Sequence, residues 1–112
     1  MLKFHIPIKL PSLANLELHW RAKTSLKEKQ KQATKKVLDK LVIPPCPLVI
    51  TITRIGPKRM DDDNLSSACK YVRDEIARAV GVDDGSDIYT WVYKQEIGVY
   101  GVDVTVETRD DD

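Results

Sequence analysis

Five aspartates in two groups are the residues of this chain best suited to chemistry. Asp61, Asp62 and Asp63 are consecutive, and Asp83 and Asp84 follow beyond a helical stretch. Three adjacent carboxylates repel one another unless positive charge sits among them. A helix N-terminus offsets part of that repulsion, and a divalent cation offsets more. Hard carboxylate oxygens without His or Cys suit Mg²⁺ or Mn²⁺. Beside a basic surface, such a cation activates water and stabilises charge on phosphate oxygens. The competing reading of the triplet is helix capping and dipole compensation, for which one Asp suffices. For Asp83 and Asp84, within Val82-Asp83-Asp84-Gly85-Ser86-Asp87, it is local turn chemistry. The triplet lacks the Gly and Glu spacing of an EF-hand. The chain has no GxxxxGK[ST], so no P-loop and no nucleotide cofactor is expected.

Basic residues lead into the triplet. Residues 1–60 hold 13 Lys/Arg against three acids, and residues 61–112 hold five against 14, so halves of about +10 and −9 meet at Met60 within a net charge of +1. One reading is a cationic surface for phosphates beside a separate acidic locus; the other is uneven charges that mix in three dimensions. Candidate DNA-backbone contacts are Lys58 and Arg59 before the triplet, Asn15, Trp20, Arg21 and Lys23 in a loop, and Lys27 on a lysine-rich helix. Trp20 among basic residues can stack on a base, or it anchors its loop to the core. Lys27, Lys29, Lys31, Lys35, Lys36 and Lys40 face only Glu28 and Asp39. That helix surface is either solvated or phosphate-facing.

The elements that must position these residues follow from periodicity. Leu2 to Leu10 alternates as a half-buried strand, and Pro7, lacking an N–H, makes it an edge strand or one with an unpaired side. Residues 12–24 have no clean period and read as a loop. Ser25-Leu26-Lys27-Glu28 is a capping-box pattern opening a helix to about Leu41, with Leu26, Ala33, Val37 and Leu41 as its apolar stripe. Ile43 to Pro47 is a rigid connector. Leu48 to Ile55 reads as a central strand ended by Gly56-Pro57, delivering Lys58, Arg59 and the triplet to the sheet's end. From Asn64 to Val80, Leu65, Cys69, Val72, Ile76 and Val80 form a helical stripe, with Gly81 as C-cap. Asp63, Ser67, Lys70 and Asp74 line the opposite face. Ile88 to Glu96 and residues 102–107 read as two strands joined in a hairpin. Residues 109–112 read as a frayed tail.

The expected fold is α+β, in the order β-α-β-α-β-β, with two helices on a four-stranded mixed sheet and a single domain over residues 1–112. No apolar run reaches the length of a membrane span, and no signal peptide opens the chain. Cys46 and Cys69 are too few for a disulfide framework. Both are expected to be buried thiols in a reducing cytoplasm.

At the triplet the sequence resembles the RusA family of Holliday junction resolvases, common in phages and prophages. The matching run is Arg59-Met60-Asp61-Asp62-Asp63-Asn64-Leu65, followed by Val82-Asp83-Asp84. Pro11-Ser12 with Asn15, and His19-Trp20-Arg21 leading to Lys23-Thr24-Ser25, resemble more loosely the family's N-terminal loop and basic segment. The resemblance spans about residues 4 to 108. It implies Asp61, Asp63 and Asp84 as metal-binding carboxylates, with Asp83 beside them. It also implies Mg²⁺ dependence with Mn²⁺ as a substitute, a homodimer, and paired nicks across four-way DNA junctions in recombination and repair, in a bacterial cytoplasm. Asp62 stands where the family usually has an aliphatic residue. The family prototype's catalytic Lys, one turn after the second Asp, corresponds here to Ser67. Lys70, one turn further on the same face, either takes its place or leaves a slow or non-cutting junction-binding protein. A metal-free interaction domain with an acidic docking end is the third reading.

A helix of about 17 residues is roughly 25 Å long. Asp63 and Asp84 at its two ends are then too far apart for one metal, unless the chain folds back. A two-fold dimer with antiparallel helices would bring Asp84 or Asp83 of one copy to Asp61 and Asp63 of the other.

Overall fold

In the computed structural model, which describes residues 1–12 and 20–110, the chain runs β1 (Leu2–Ile6), α1 (Trp20–Leu38), β2 (Leu48–Gly56), α2 (Asp62–Ala68), α3 (Lys70–Val80), β3 (Tyr89–Ile97) and β4 (Gly101–Thr108). The strands form one mixed sheet in the order β1-β4-β2-β3. The α+β class with a four-stranded mixed sheet is therefore as expected.

β2 is a central strand because its β-branched residues serve both faces. Leu48, Ile50, Ile52, Arg54 and Gly56 are buried, while Val49, Thr51, Thr53 and Ile55 are half-exposed. It pairs antiparallel with β4 (Ile52 opposite Val104) and parallel with β3 (Ile50 opposite Trp91). β1 lies at the sheet edge against β4, as Pro7 implied, but stops at Ile6. Pro7 has no N–H to continue the ladder, and the Ile8 N–H donates back to the Ile6 carbonyl at 2.9 Å.

The expected β3–β4 hairpin does not form. β2 lies between those strands. α2 and α3 carry the chain from the end of β2 back to its start, so β3 enters parallel, as in a βαβ crossover. The short segment after β3 then crosses the end of β2, where the Gly98 N–H donates to the Gly56 carbonyl at 3.0 Å.

One face of the sheet carries the core. Ile6, Leu48, Ile50, Ile52, Val102, Val104 and Val106 pack with Leu65, Ala68, Cys69, Val72, Ile76 and Ala77 of α2 and α3 and Leu38 of α1. Thr51, Thr53 and Thr105 lie half-exposed on the other face.

The helices depart from expectation in two places. α1 begins at Trp20, so Ser25 is helical rather than an N-cap, and Arg21 and Lys23 lie on the helix rather than in a loop. A Ser-x-x-Glu pattern marks a start only where the Ser backbone is non-helical. The fully buried line of α1 is Gln30, Thr34 and Leu38. Its polar members find local partners: Gln30 Nε2 donates to the Lys9 carbonyl at 3.3 Å and Thr34 Oγ1 to the Gln30 carbonyl at 2.7 Å. The second helix starts at Asp62 and breaks at Cys69 (φ −84°, ψ −2°) into α2 and α3. Backbone bonds bridge the break, Cys69 N–H to Leu65 carbonyl at 3.2 Å and Arg73 N–H to Cys69 carbonyl at 2.9 Å. Gly81 ends α3 at φ 89°, a left-handed cap that glycine adopts without steric cost.

Two smaller expectations are corrected. Cys69 is buried but Cys46 is exposed, because its proline-flanked connector runs over the surface. Arg109 is not frayed. Its N–H donates to the Pro47 carbonyl at 2.7 Å, and Nη1 donates to the Asp87 carbonyl and Thr90 Oγ1. Among the described residues no helix is long and apolar enough to cross a membrane.

Candidate functional site

The alternation of β2 puts Arg54 in line with Ile50 and Ile52, on the core face. Its side chain is 6% exposed. Nε donates to the Leu10 carbonyl at 2.8 Å and Nη1 to the Lys58 carbonyl at 2.9 Å. Gly56 makes room for it, since a Cβ there would lie 2.9 Å from Arg54 Nη2. One guanidinium thus ties the segment after β1 to the loop after β2. Gln95 on β3 holds the next residue on both sides. It accepts from the Met60 N–H at 3.0 Å and donates to the Met60 carbonyl at 2.8 Å. The backbone entering Asp61 is therefore pinned from two strands. Lys9, Ser12, Arg54, Lys58, Arg59 and Tyr100 line a cleft of about 550 Å³ that ends at Met60. Lys9 Nζ sits 4.4 Å from the Tyr100 ring centroid.

Immediately beyond lies the triplet. Asp61 is the N-cap of α2 with an extended backbone, yet its carboxylate makes no capping hydrogen bond. Asp62 and Asp63 occupy the first turn, where the helix dipole favours them. All three are exposed, and none forms an ion pair among the described residues. Side-chain capping, the bland reading, is thus not what Asp61 does.

Lys70 is exposed as the first residue of α3, with Ser67 exposed one turn before it and Asp74 half-buried one turn after. Lys27 of α1 reaches the same region, with Nζ 6.0 Å from the Tyr71 ring centroid. Lys23 and Arg21 are each exposed on the first turns of α1. Trp20 starts that helix. Asn15 lies outside the described residues.

The second acidic group is held differently. Asp83 Oδ2 accepts from the Gly85 N–H at 3.1 Å, the turn chemistry considered for it. Asp84 Oδ2 lies 2.9 Å from Arg73 Nε, and the Asp84 carbonyl accepts from Trp91 Nε1 at 2.9 Å. The Arg73 Nε–H has no hydrogen-bond acceptor, so this contact is an ion pair without a directed bond from that atom. Arg73 Nη1 donates to the Tyr93 hydroxyl at 2.7 Å, and its guanidinium sits 5.8 Å from the Trp91 ring. Burial pulls the Arg73 pKa down, but the Tyr93 hydrogen bond and the charges of Tyr93, Asp84 and Asp74 outweigh it and the net shift is upward. Beneath both regions, burial pushes the Cys69 thiol up to about 12 against the opposing pull of Arg54 and Arg73.

The cleft, Lys58, Arg59, Asp61 and Asp63 are therefore brought together, and Asp84 is not. Asp63 stands in the first turn of α2, whereas Arg73, the partner of Asp84, lies on α3 beyond the break at Cys69. Among the described residues no three His, Cys, Asp or Glu side chains are grouped to hold a metal ion. Asp61 and Asp63 offer oxygen donors of the kind Mg²⁺ favours.

Charge segregation partly survives folding. Lys35–Asp39, Arg73–Asp84 and Arg78–Glu75 each stay on one side of Met60, while His5–Asp103 crosses it. α1 also brings Lys31 to a cleft shared with Asp74, Asp83 and Asp84, so some mixing occurs.

Reading the sequence missed Arg54, Lys9, Gln95 and Arg73. Arg54 was detectable as a charge on the core-facing positions of a central strand. Arg73 and Gln95 are visible only through partners distant in sequence. No protein-family model matches the chain, and no curated protein is significantly similar to it.

Proposed function

We propose that this chain is a Mg²⁺-dependent, structure-specific DNA endonuclease of the RusA kind, resolving four-way junctions by paired nicks. The observation that carries this reading is the adjacency, across Met60, of a cleft with four cationic residues and three exposed carboxylates without ion pairs. Phosphodiester chemistry needs both, cations to hold the backbone and oxygens to hold a divalent metal. Lys58 and Arg59, with Lys23 and Lys27 on α1, bind phosphates. Asp61 and Asp63 hold Mg²⁺, with Mn²⁺ as substitute. The metal, when bound, activates water and offsets charge on the phosphate. Asp84, with Asp83, joins from a second copy in a homodimer whose helices run antiparallel, and Lys70 serves in place of the lysine absent at Ser67. The setting is recombination and repair of branched DNA in a bacterial cytoplasm, from a phage or prophage gene.

The test is purified protein on an end-labelled four-way junction, with Mg²⁺ and with EDTA, beside Asp63→Asn. Nicks that need Mg²⁺ and fall at least about 100-fold in the variant support the enzyme. Absence of any junction preference over duplex DNA removes it. The second reading, a junction-binding protein that cuts weakly or not at all, is favoured by Ser67 and by the neutralisation of Asp84 by Arg73. Tight binding without nicks supports that one.

A further inference from the structure

Arg54 differs from the arginines of α3. Arg73 and Arg78 each face a carboxylate, Asp84 and Glu75. Arg54 is the most buried of the three, yet its bonded partners are two neutral carbonyls. A buried charge is costly unless another charge or a full set of hydrogen bonds compensates it. Lys9, Lys58 and Arg59 add three more positive charges to the same cleft, and among the described residues no carboxylate lines it. Ser12 Oγ, also on its wall, is buried without a hydrogen-bond partner among the described residues. Buried hydroxyls are rarely left so. A cation held rigidly by β2, flexible cations around it and an orphaned donor all call for one oxyanion.

We infer that this cleft is a phosphate pocket that grips one DNA-backbone phosphodiester next to the acidic triplet, with Arg54 as its fixed centre. The inference rests on the nucleic-acid part of the reading above but not on cleavage. Arginine presents paired N–H donors that match a phosphate's oxygens, and the lysines add point charges. Tyr100, 41% exposed on the rim, offers a ring on which the neighbouring base can stack. The pocket ends at Met60 and the triplet begins at Asp61, so a gripped phosphate is close along the strand to whatever the carboxylates act on. Gly56 is part of the device, because a Cβ there would displace the Arg54 guanidinium without removing its charge.

The test is amide and arginine Nε NMR of the full chain. It is titrated with inorganic phosphate and, separately, with a short single-stranded oligonucleotide lacking terminal phosphates. Both probes are expected to shift Ser12, Arg54 Nε, Lys58 and Arg59. Lys58→Ala/Arg59→Ala, which changes exposed side chains only, is expected to weaken oligonucleotide binding and reduce the slope of log affinity against log salt by about 1. Gly56→Ala is expected to abolish the Arg54 Nε shift while leaving the fold's other resonances in place. Lys36→Ala/Lys40→Ala, at the end of α1 and in the turn after it and lining no part of the cleft, is the control. Shifts confined to the α1 lysines, or a control that lowers the salt slope while the cleft variant does not, overturn the pocket. Inorganic phosphate in the cleft with the oligonucleotide elsewhere overturns its assignment to DNA. Shifts by both probes in a protein that never nicks a junction leave the pocket standing and sink the nuclease. Mg²⁺-dependent nicking undiminished in both cleft variants, with no cleft shifts, does the reverse.

Discussion

The two acidic ends of the α2–α3 unit are built on opposite principles. At Asp83–Asp84 each carboxylate is used by the fold, one by a backbone N–H and one by Arg73, with Trp91 fixing the turn. At Asp61–Asp63 the carboxylates are exposed, make no capping bond at Asp61 and meet no cationic side chain among the described residues. Compensated charge of the first kind stabilises structure; charge of the second kind is left to solvent, the helix dipole and any cation that binds there. The same contrast holds between Arg73, which has its anion, and Arg54, which has none among the described residues. The charges without a partner among the described residues therefore lie on both sides of Met60.

The largest expected effect concerns Cys69, the break between the two ends. Its thiol is raised from 9.0 to about 12 by burial. A raised acid is neutral in the folded state while its unfolded counterpart ionises. Its stabilisation is complete below pH 9 and is lost as pH rises through 12, by up to about 4 kcal/mol. Urea unfolding of wild type beside Cys69→Ala across that window should show wild type losing stability faster. Equal losses contradict the buried thiol. At pH 8 a thiol reagent should label exposed Cys46 at once and Cys69 only on unfolding.

Arg73→Ala comes next. It removes the cation of Asp84 and the donor to Tyr93, and should cost about 2 kcal/mol, a value reduced because the ion pair is partly exposed. Smallest are the paired substitutions that set the two ends against each other. Asp84→Asn should cost about 1 kcal/mol, whereas Asp62→Asn should change stability by less than about 0.5 kcal/mol in either direction. Thermal or urea unfolding of the two variants decides it. An Asp62 variant as damaging as the Asp84 variant would erase the distinction.

Much of this architecture was legible in the residues. The alternation of β2 and β4, the helical stripe through Leu65, Val72 and Ile76, and the Gly81 cap are local patterns, and they appear where periodicity placed them. The rest was decided by contacts distant in sequence. Gly98–Tyr100 looks like a hairpin turn, but a crossover helix had already committed β3 to the edge of β2. α1 buries Gln30 and Thr34, which no apolar stripe predicts, because their hydrogen bonds are satisfied locally and by Lys9. The triplet and its basic approach were evident from charge alone. The different fates of Asp63 and Asp84 were not, since Arg73 and Asp84 announce no pairing in one dimension.

The most direct test of the contrast between the ends is paramagnetic broadening of backbone amides by Mn²⁺, a probe for the oxygen sites that Mg²⁺ would occupy. At substoichiometric Mn²⁺, broadening is expected to centre on residues 61–64 and to disappear in Asp61→Asn/Asp63→Asn. Broadening centred on Asp83 and Asp84 that survives in that variant, with residues 61–64 sharp, would contradict it.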